Sequence, residues 1–156
     1  MPIATDATLL KHRADILNHG VVSWVTQLAM AEADVIERVK TEWWVNAVKT
    51  TYGGAFRETK DYSYLFPAFD STKLNTSALA NLVCYRAMAY YIYPSLTRDT
   101  DDGADAFSRR AERYHNFYSG EWDRVVRMAL YDFDSDTQFA DIERSSVPRT
   151  VRVYRA

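Results

Sequence analysis

A run of apolar residues in the last third of the chain constrains the fold most. Its members recur at steps of four, three, four, four, three and four: Phe107, Ala111, Tyr114, Tyr118, Trp122, Val125 and Ala129. This spacing follows the period of an α-helix and places the side chains on one face. The pattern predicts a helix over about 104–131 that is buried along this face. Because glycine is costly inside a helix, we expect a kink or a break near Ser119-Gly120.

Cap residues and helix breakers predict three earlier helices. The first helix is capped by Thr5 or Asp6 and ends near Gly20. The second begins at Ser23 and runs to about Thr50, before Gly53-Gly54. The third runs from Ser77 to Tyr93, is capped by Asn75 or Thr76 and is closed by Pro94. The third helix is apolar nearly all round and has Arg86 as its only charged residue. Such a helix is expected at the centre of a bundle or beneath a partner.

The segment between the second and third helices has poor periodicity and many rings, which include Tyr52, Phe56, Tyr62, Tyr64, Phe66 and Phe69. It predicts an ordered, aromatic-rich loop over residues 51–75. Together the segments predict an all-α fold, a small bundle of about four helices in one domain of ordinary size. The eleven Tyr, seven Phe and four Trp exceed what a small core needs. We therefore expect some of these rings at interfaces.

Composition excludes several classes of protein. The net charge of −2 argues against a general nucleic-acid binder. Cys84 is the sole cysteine, so no internal disulfide is possible, and its apolar surroundings predict a buried, inert thiol. The N-terminus lacks the pattern of a signal peptide, and no apolar run is long enough to span a bilayer. We expect an intracellular or particle-associated protein with no membrane partner.

Catalytic patterns are missing from the sequence. There is no Gly-x-Ser-x-Gly elbow and no glycine-rich phosphate loop. Glu112 and His115 have the Glu-x-x-His spacing of a di-iron ligand pair, but such sites need a second pair and two further glutamates. Both residues also lie one step off the apolar stripe, which predicts an exposed pair. We therefore expect no enzyme and no catalytic cofactor.

An acidic segment, DFDSDTQFADIE, follows the last predicted helix. Four of its residues occupy liganding positions of an EF-hand calcium loop: Asp132, Asp134, Asp136 and Glu143. Thr137 stands where that loop needs glycine, and Pro148 soon after argues against an exiting helix. A solvated acidic turn that ends the helix explains the same residues. A calcium-binding helical module, with Ca²⁺ as its cofactor, is thus the alternative function.

The chain after this segment is basic and β-prone. Val151 and Val153 alternate with Arg152 and Tyr154, which is the pattern of a strand, and no other segment is a clear strand partner. A lone strand leaves its backbone groups unpaired unless it joins another chain. The pattern predicts a helical domain over 1–143 and an extended docking arm over 144–156, although a disordered terminus would have the same composition. The contact residues of this arm would be Arg149, Val151, Arg152, Val153, Tyr154 and Arg155.

The order of these features from Leu74 to the end resembles the head-tail connector (adaptor, or head-completion) proteins of tailed bacteriophages. The resemblance rests on an apolar, Tyr-rich helix, ALANLVCYRAMAYYIY, then an amphipathic one, FSRRAERYHNFYSGEWDRVVRMALYDFD, then the acidic segment and the arginine-rich arm. It implies a small helical bundle that forms a homo-oligomeric, dodecameric ring in the phage neck.

The resemblance also implies the partners of the chain. Val147 to Ala156 would join the portal protein, and the opposite side of the ring would meet a distal neck or tail protein. DNA would pass through the ring without specific binding. The protein would be made in the host cytoplasm and would act in the virion, at the head–tail interface.

Overall fold

A computed structural model of the chain describes residues 2–52, 68–97, 106–128 and 130–132, without the side chains of 49–52. Within these ranges the fold is helical and has no β-strand, which confirms the all-α prediction. Most of the predicted aromatic-rich loop lies outside the described residues, as does the whole predicted arm. In the described ranges, no helix combines the length and apolarity that crossing a membrane requires.

The described residues form six α-helices, with these bounds: α1 Asp6–His12, α2 Val25–Arg38, α3 Val45–Tyr52, α4 Thr76–Ala87, α5 Tyr93–Leu96 and α6 Ala106–Val125. A π-helical segment, Val39–Trp44, connects α2 directly to α3, and another, Met88–Ile92, connects α4 to α5. A short 3₁₀ turn covers Ser71–Lys73. The predicted second and third helices are thus confirmed as continuous helical stretches, each with a π segment inside it.

The first helix is shorter than its pattern predicts. It ends at His12 instead of near Gly20, because Arg13 is extended, with φ −151° and ψ 101°. The Arg13 guanidinium donates to Asp15 Oδ2 at 2.8 Å. Residues two apart do not face each other on a helix, so this pairing favours the observed turn. Turns then continue to Gly20, whose φ of 79° suits glycine.

Pro94 does not close the third helical stretch, contrary to prediction. It lies in the first turn of α5, where a missing N–H is tolerated, and the preceding π segment has already reset the hydrogen-bond pattern. The helix continues to Leu96. Thr97 is extended, and its N–H donates to the carbonyl oxygens of Tyr93 and Pro94.

The last helix is continuous through Ser119-Gly120 but ends at Val125, earlier than predicted. The cause is a long-range contact: Tyr131 forms an isolated antiparallel bridge with Leu74, which requires extended backbone. The N–H of Asn75 donates to Leu130 O at 2.9 Å, and the N–H of Asp132 donates to Lys73 O at 3.0 Å. Four members of the predicted stripe are buried in α6, namely Tyr114, Tyr118, Trp122 and Val125.

The chain divides into two compact units. The first comprises residues 1–37 and 76–125, and the second comprises 38–75 and 126–156. In the first unit, α6 packs against α4, the π segment after it and α5, while α1 packs against α4. Its core contains the fully buried side chains of Leu9, Ile16, Val35, Leu79, Leu82, Val83, Met88 and Ile92. The predicted domain boundary at residue 143 lies outside the described residues.

The second unit has an aromatic core. The rings of Trp44 and Tyr131 lie 4.4 Å apart between centroids, and Phe69 lies 5.7 Å from Trp44. Trp43, which precedes Trp44 in the sequence, is also buried and donates its indole N–H to Val126 O at 3.3 Å. A π segment turns less per residue than an α-helix, so neighbouring side chains such as these lie closer to one face.

Candidate interaction surface

Helix α2 has two apolar stripes, and one of them is buried within the first unit. The buried stripe begins just before the helix and consists of Trp24, Leu28, Ala31 and Val35, each at most 2% exposed. The Trp24 indole N–H donates to Ile16 O at 3.1 Å, which ties the start of α2 to the turns after α1. This stripe is the core-facing side of the helix.

The other stripe of α2 lies on the surface. Its members are Val25, Ala29, Ala33 and Ile36, at steps of four, four and three residues. They line a groove of about 320 Å³ together with Pro2, Ala4, Leu28 and Glu32. We call this concavity the α2 groove. Because Val25 is 64% exposed, this stripe adds little to the core and has the features of a contact surface.

The N-terminal segment contributes one wall of the α2 groove. The N–H of Ile3 donates to Glu32 Oε2 at 2.9 Å, which holds the segment along α2. Ala4 is buried, and Pro2 lines the groove beside it. Val22, three residues before Val25 in the sequence, is 95% exposed. The groove is therefore a formed feature of the unit, bordered by one carboxylate.

A second concavity lies on α6. It has a volume of about 300 Å³ and is lined by Tyr85, Asn116, Phe117, Gly120 and Glu121. We call it the α6 hollow. Phe117 is 42% exposed at its edge, and the Arg113 guanidinium lies 5.3 Å from the centre of that ring. The hollow thus has an exposed aromatic ring beside a cation.

Among the described residues, nothing around Gly120 in the α6 hollow requires glycine on steric grounds. Apart from its two chain neighbours and the adjacent backbone of its own helix, a Cβ atom at this position would meet no atom of the described residues within 4 Å. Its helical backbone also does not need the left-handed conformation that favours glycine. Glycine in a helix interior costs about 1 kcal/mol relative to alanine. The packing of the described residues therefore does not account for this glycine.

The charges of the α6 hollow are internally paired. Glu121 Oε2 accepts a hydrogen bond from Arg124 Nε at 2.8 Å, and this bond lowers the pKa of Glu121 despite partial burial. Burial, followed by the charge of Glu121, raises the pKa of Tyr85. A paired carboxylate with a lowered pKa and a phenol with a raised one are poorly suited to proton transfer near neutral pH.

A polar network holds α2 against α4 and the π segment that follows α4. Asp34 Oδ2 accepts hydrogen bonds from Arg86 Nε at 2.9 Å, from Arg86 Nη2 at 2.8 Å and from the Tyr91 hydroxyl at 2.5 Å. Partial burial would raise the pKa of Asp34, but the bonds from Tyr91 and Arg86 outweigh it and lower that pKa. Arg86 also lies 3.7 Å from the centre of the Tyr90 ring. This network holds the helix that carries the groove.

The predicted calcium loop begins at a residue with a structural role. Asp132 is only 6% exposed, and its N–H is hydrogen-bonded to Lys73 O. The expectation that a helix leads directly into this loop is wrong, because α6 ends at Val125 and Tyr131 is in the bridge. In the described ranges, no three His, Cys, Asp or Glu side chains are grouped to hold a metal.

The other predicted site residues were Asp134, Asp136 and Glu143 for the metal and Arg149, Val151, Arg152, Val153, Tyr154 and Arg155 for the partner. All of them lie outside the described residues, so these assignments stay predictions.

Two minor predictions are confirmed. Cys84 is fully buried, and burial raises the pKa of its thiol to about 12, so it is inert near neutral pH. Glu112 and His115 are exposed on α6, and the His115 ring lies against Tyr90 with centroids 5.5 Å apart. In contrast, the surface stripe of α2 and the open space beside Gly120 were not predicted, although both leave a signal in the sequence: a second stripe at helical spacing and a glycine inside a helix.

Comparisons with protein-family models, with curated proteins and with solved structures found no match.

Proposed function

We propose that this chain is a structural assembly protein of a phage neck, which forms a homo-oligomeric ring between the portal and the tail or next neck component. The observation that carries the proposal is the surface stripe of α2, where Val25, Ala29, Ala33 and Ile36 line an exposed apolar groove. An apolar groove at the surface offers a place where side chains of another protein can be buried. The α6 hollow adds an exposed aromatic ring, a type of side chain that is enriched at protein interfaces.

The paired charges of the first unit also favour assembly over catalysis. Asp34 is held by Arg86 and Tyr91, and Glu121 is held by Arg124, so these acids are committed to partners within the unit. The resemblance of the stretch from Leu74 onward to head-tail connector proteins supplies the setting. In that setting the ring is dodecameric, DNA passes through it without specific binding, and the protein acts in the virion.

The proposal assigns portal binding to the C-terminal arm, Val147 to Ala156. Its arginines would pair with carboxylates of the portal protein, while Val151 and Val153 would sit in a strand added to a portal sheet edge. The opposite side of the ring would meet the distal neck or tail protein.

Deleting Val147 to Ala156 tests this assignment. The truncated chain should unfold at the same temperature as the full chain and should lose binding to the portal protein encoded with it, measured by co-sedimentation. A full-length control in which these residues are replaced by Gly and Ser separates the effect of sequence from that of length. Undiminished portal binding by the truncated chain would rule out the arm as the portal-binding segment.

A further inference from the structure

We propose that the α2 groove of one copy receives the α6 face around Phe117 of a second copy, so that copies associate head to tail. This inference rests on the proposed function, because it names the surfaces by which a ring of this chain would close. Both surfaces belong to the first unit, and they are different surfaces of one chain.

Size and polarity match between the two surfaces. The α2 groove, at about 320 Å³, is at the small end of the roughly 300–1,000 Å³ range of binding pockets and has room for an aromatic side chain. Most of its lining residues are apolar, including Val25, Leu28 and Ile36. Phe117 is 42% exposed at the edge of the α6 hollow. An exposed ring on one surface and an apolar groove on the other are complementary halves of one contact.

Charge favours the same pairing. The acids on and beside the groove face of α2 are Glu32 and Glu37, and Glu32 itself lines the groove. On α6, Arg109 and Arg113 are exposed eight and four residues before Phe117, and the Arg113 guanidinium lies 5.3 Å from the ring centre. When the ring enters the groove, Arg113 approaches the acidic edge. Complementary charge of this kind guides encounter and fixes the orientation of the partners.

Small residues allow the two helices to approach closely. Ala29 and Ala33 are exposed on α2, and Gly120 is exposed on α6 in the turn that follows Phe117. A Cβ atom at Gly120 would meet no described atom of its own chain within 4 Å, so the fold of this unit does not require the glycine. Close packing of a second copy against this turn would require it. This observation is independent of the exposed apolar area.

The two halves of the contact explain why the occupant is a second copy. One chain carries the groove with its acids, and the same chain carries the ring with its arginines. A contact between two different patches of identical subunits is heterologous, and it continues from copy to copy until the rotation closes a ring. A groove-to-groove contact would instead give a closed dimer and would leave Phe117 exposed.

Mixing two blocked variants tests the pairing. Ala29→Arg fills the groove, and Phe117→Asp removes the ring; each variant keeps one intact surface. Sedimentation velocity over a concentration series should show wild-type chain forming species larger than dimers, and each variant alone should stay monomeric. An equal mixture should form dimers and nothing larger, because one productive contact remains. Thr26→Arg, exposed on α2 and outside the groove, is the matched control and should associate like wild type.

Three results would overturn the inference: a wild-type chain that stays monomeric at every concentration, a mixture that stays monomeric, or a Phe117→Asp variant that associates like wild type. Portal binding by the C-terminal arm is measured separately. If arm deletion abolishes portal binding while the mixture stays monomeric, the proposed function survives and this pairing fails.

Gly120→Ala separates docking from folding. The substitution should raise the melting temperature, because alanine favours the helix and its methyl group meets open space within the unit. It should also weaken self-association roughly fivefold or more, the scale expected for one surplus methyl group in a close-packed contact. Ser119→Ala, next in sequence and not part of the hollow, should leave association unchanged. An unchanged association constant for Gly120→Ala would contradict the close approach of the two helices.

Discussion

Helices α4 and α2 of the first unit both carry more apolar residues than one core-facing stripe needs, but the surplus has different destinations. In α4 the apolar residues are buried on several sides of the helix, and Leu79, Leu82 and Val83 are among them. In α2 one stripe is buried, while Val25 and its neighbours at helical spacing line a surface groove. The apolar content of a helix therefore does not reveal whether its own unit covers it. The buried helix belongs to the core of the unit, whereas the exposed stripe is the basis of the proposed contact.

A charged contact joins the two helices. Arg86 is the only charged residue of α4, and its guanidinium is hydrogen-bonded to Asp34 of α2. The Tyr91 hydroxyl, in the π segment after α4, donates to the same oxygen. The central helix is thus held to α2 by a polar network as well as by apolar contact. Three substitutions test how different the two helices are.

The largest effect is expected from Leu82→Ala in α4. Leu82 is fully buried, so its truncation leaves a cavity and should lower the free energy of unfolding by about 2–5 kcal/mol. Urea denaturation followed by circular dichroism measures the loss. Ser77→Ala, exposed on the same helix, should stay within about 0.5 kcal/mol of wild type. A loss below about 1 kcal/mol for Leu82→Ala would mean that α4 is not the centre of the unit.

An intermediate effect is expected from Asp34→Asn, which removes the charge that holds Arg86. The free energy of unfolding should fall by about 1–2 kcal/mol, the lower part of the range for charged hydrogen bonds, since the Asp34 side chain is 33% exposed. Folding lowers the pKa of Asp34, so the stabilisation is present above the ordinary pKa of an aspartate and is lost as the pH falls through the folded value.

The free energy of unfolding of Asp34→Asn should therefore fall less than that of wild type between neutral and acidic pH. Urea denaturation at each pH measures this difference. Asp123→Asn, exposed on α6, is the control and should keep the wild-type profile. Identical pH profiles for wild type and Asp34→Asn would show that the network does not link these helices.

The smallest effect is expected from Val25→Thr on the surface stripe of α2. Because Val25 is 64% exposed, thermal unfolding should give a free energy within about 0.5 kcal/mol of wild type. The matched substitution Val35→Thr places a hydroxyl in the buried stripe of the same helix and should cost about 1–3 kcal/mol. Equal losses for the two variants would mean that the surface stripe belongs to the core, and the case for a contact surface would fail.

Periodicity was sufficient to predict the helices but not their ends. The α6 stripe follows from spacing, because burial imposes it, and the second and third helical stretches follow from cap residues and helix breakers. Two ends were set by contacts that spacing does not contain: the local pair of Arg13 and Asp15 ends α1, and the bridge between Tyr131 and Leu74 requires extended backbone after α6. Pro94 was tolerated because a π segment precedes it.

The candidate surface was only partly predictable. Both apolar stripes of α2 are present in the sequence. Only the structure shows which of them faces the core and which is exposed. The partner of Arg86 lies far away in sequence, so Asp34 could not be identified from the pattern around α4. Ring formation and portal docking stay predictions from the resemblance.

The bridge between Leu74 and Tyr131 has a consequence for the order of folding. It joins two pieces of chain that flank residues 76–125, a stretch assigned to the first unit. Closing so long a loop early carries a large entropic penalty, and prior folding of the intervening helices removes much of it. During synthesis, Tyr131 also leaves the ribosome after the whole of α6. The aromatic core of the second unit is therefore expected to form late, and a pause in translation before Tyr131 would leave Trp44 without this ring.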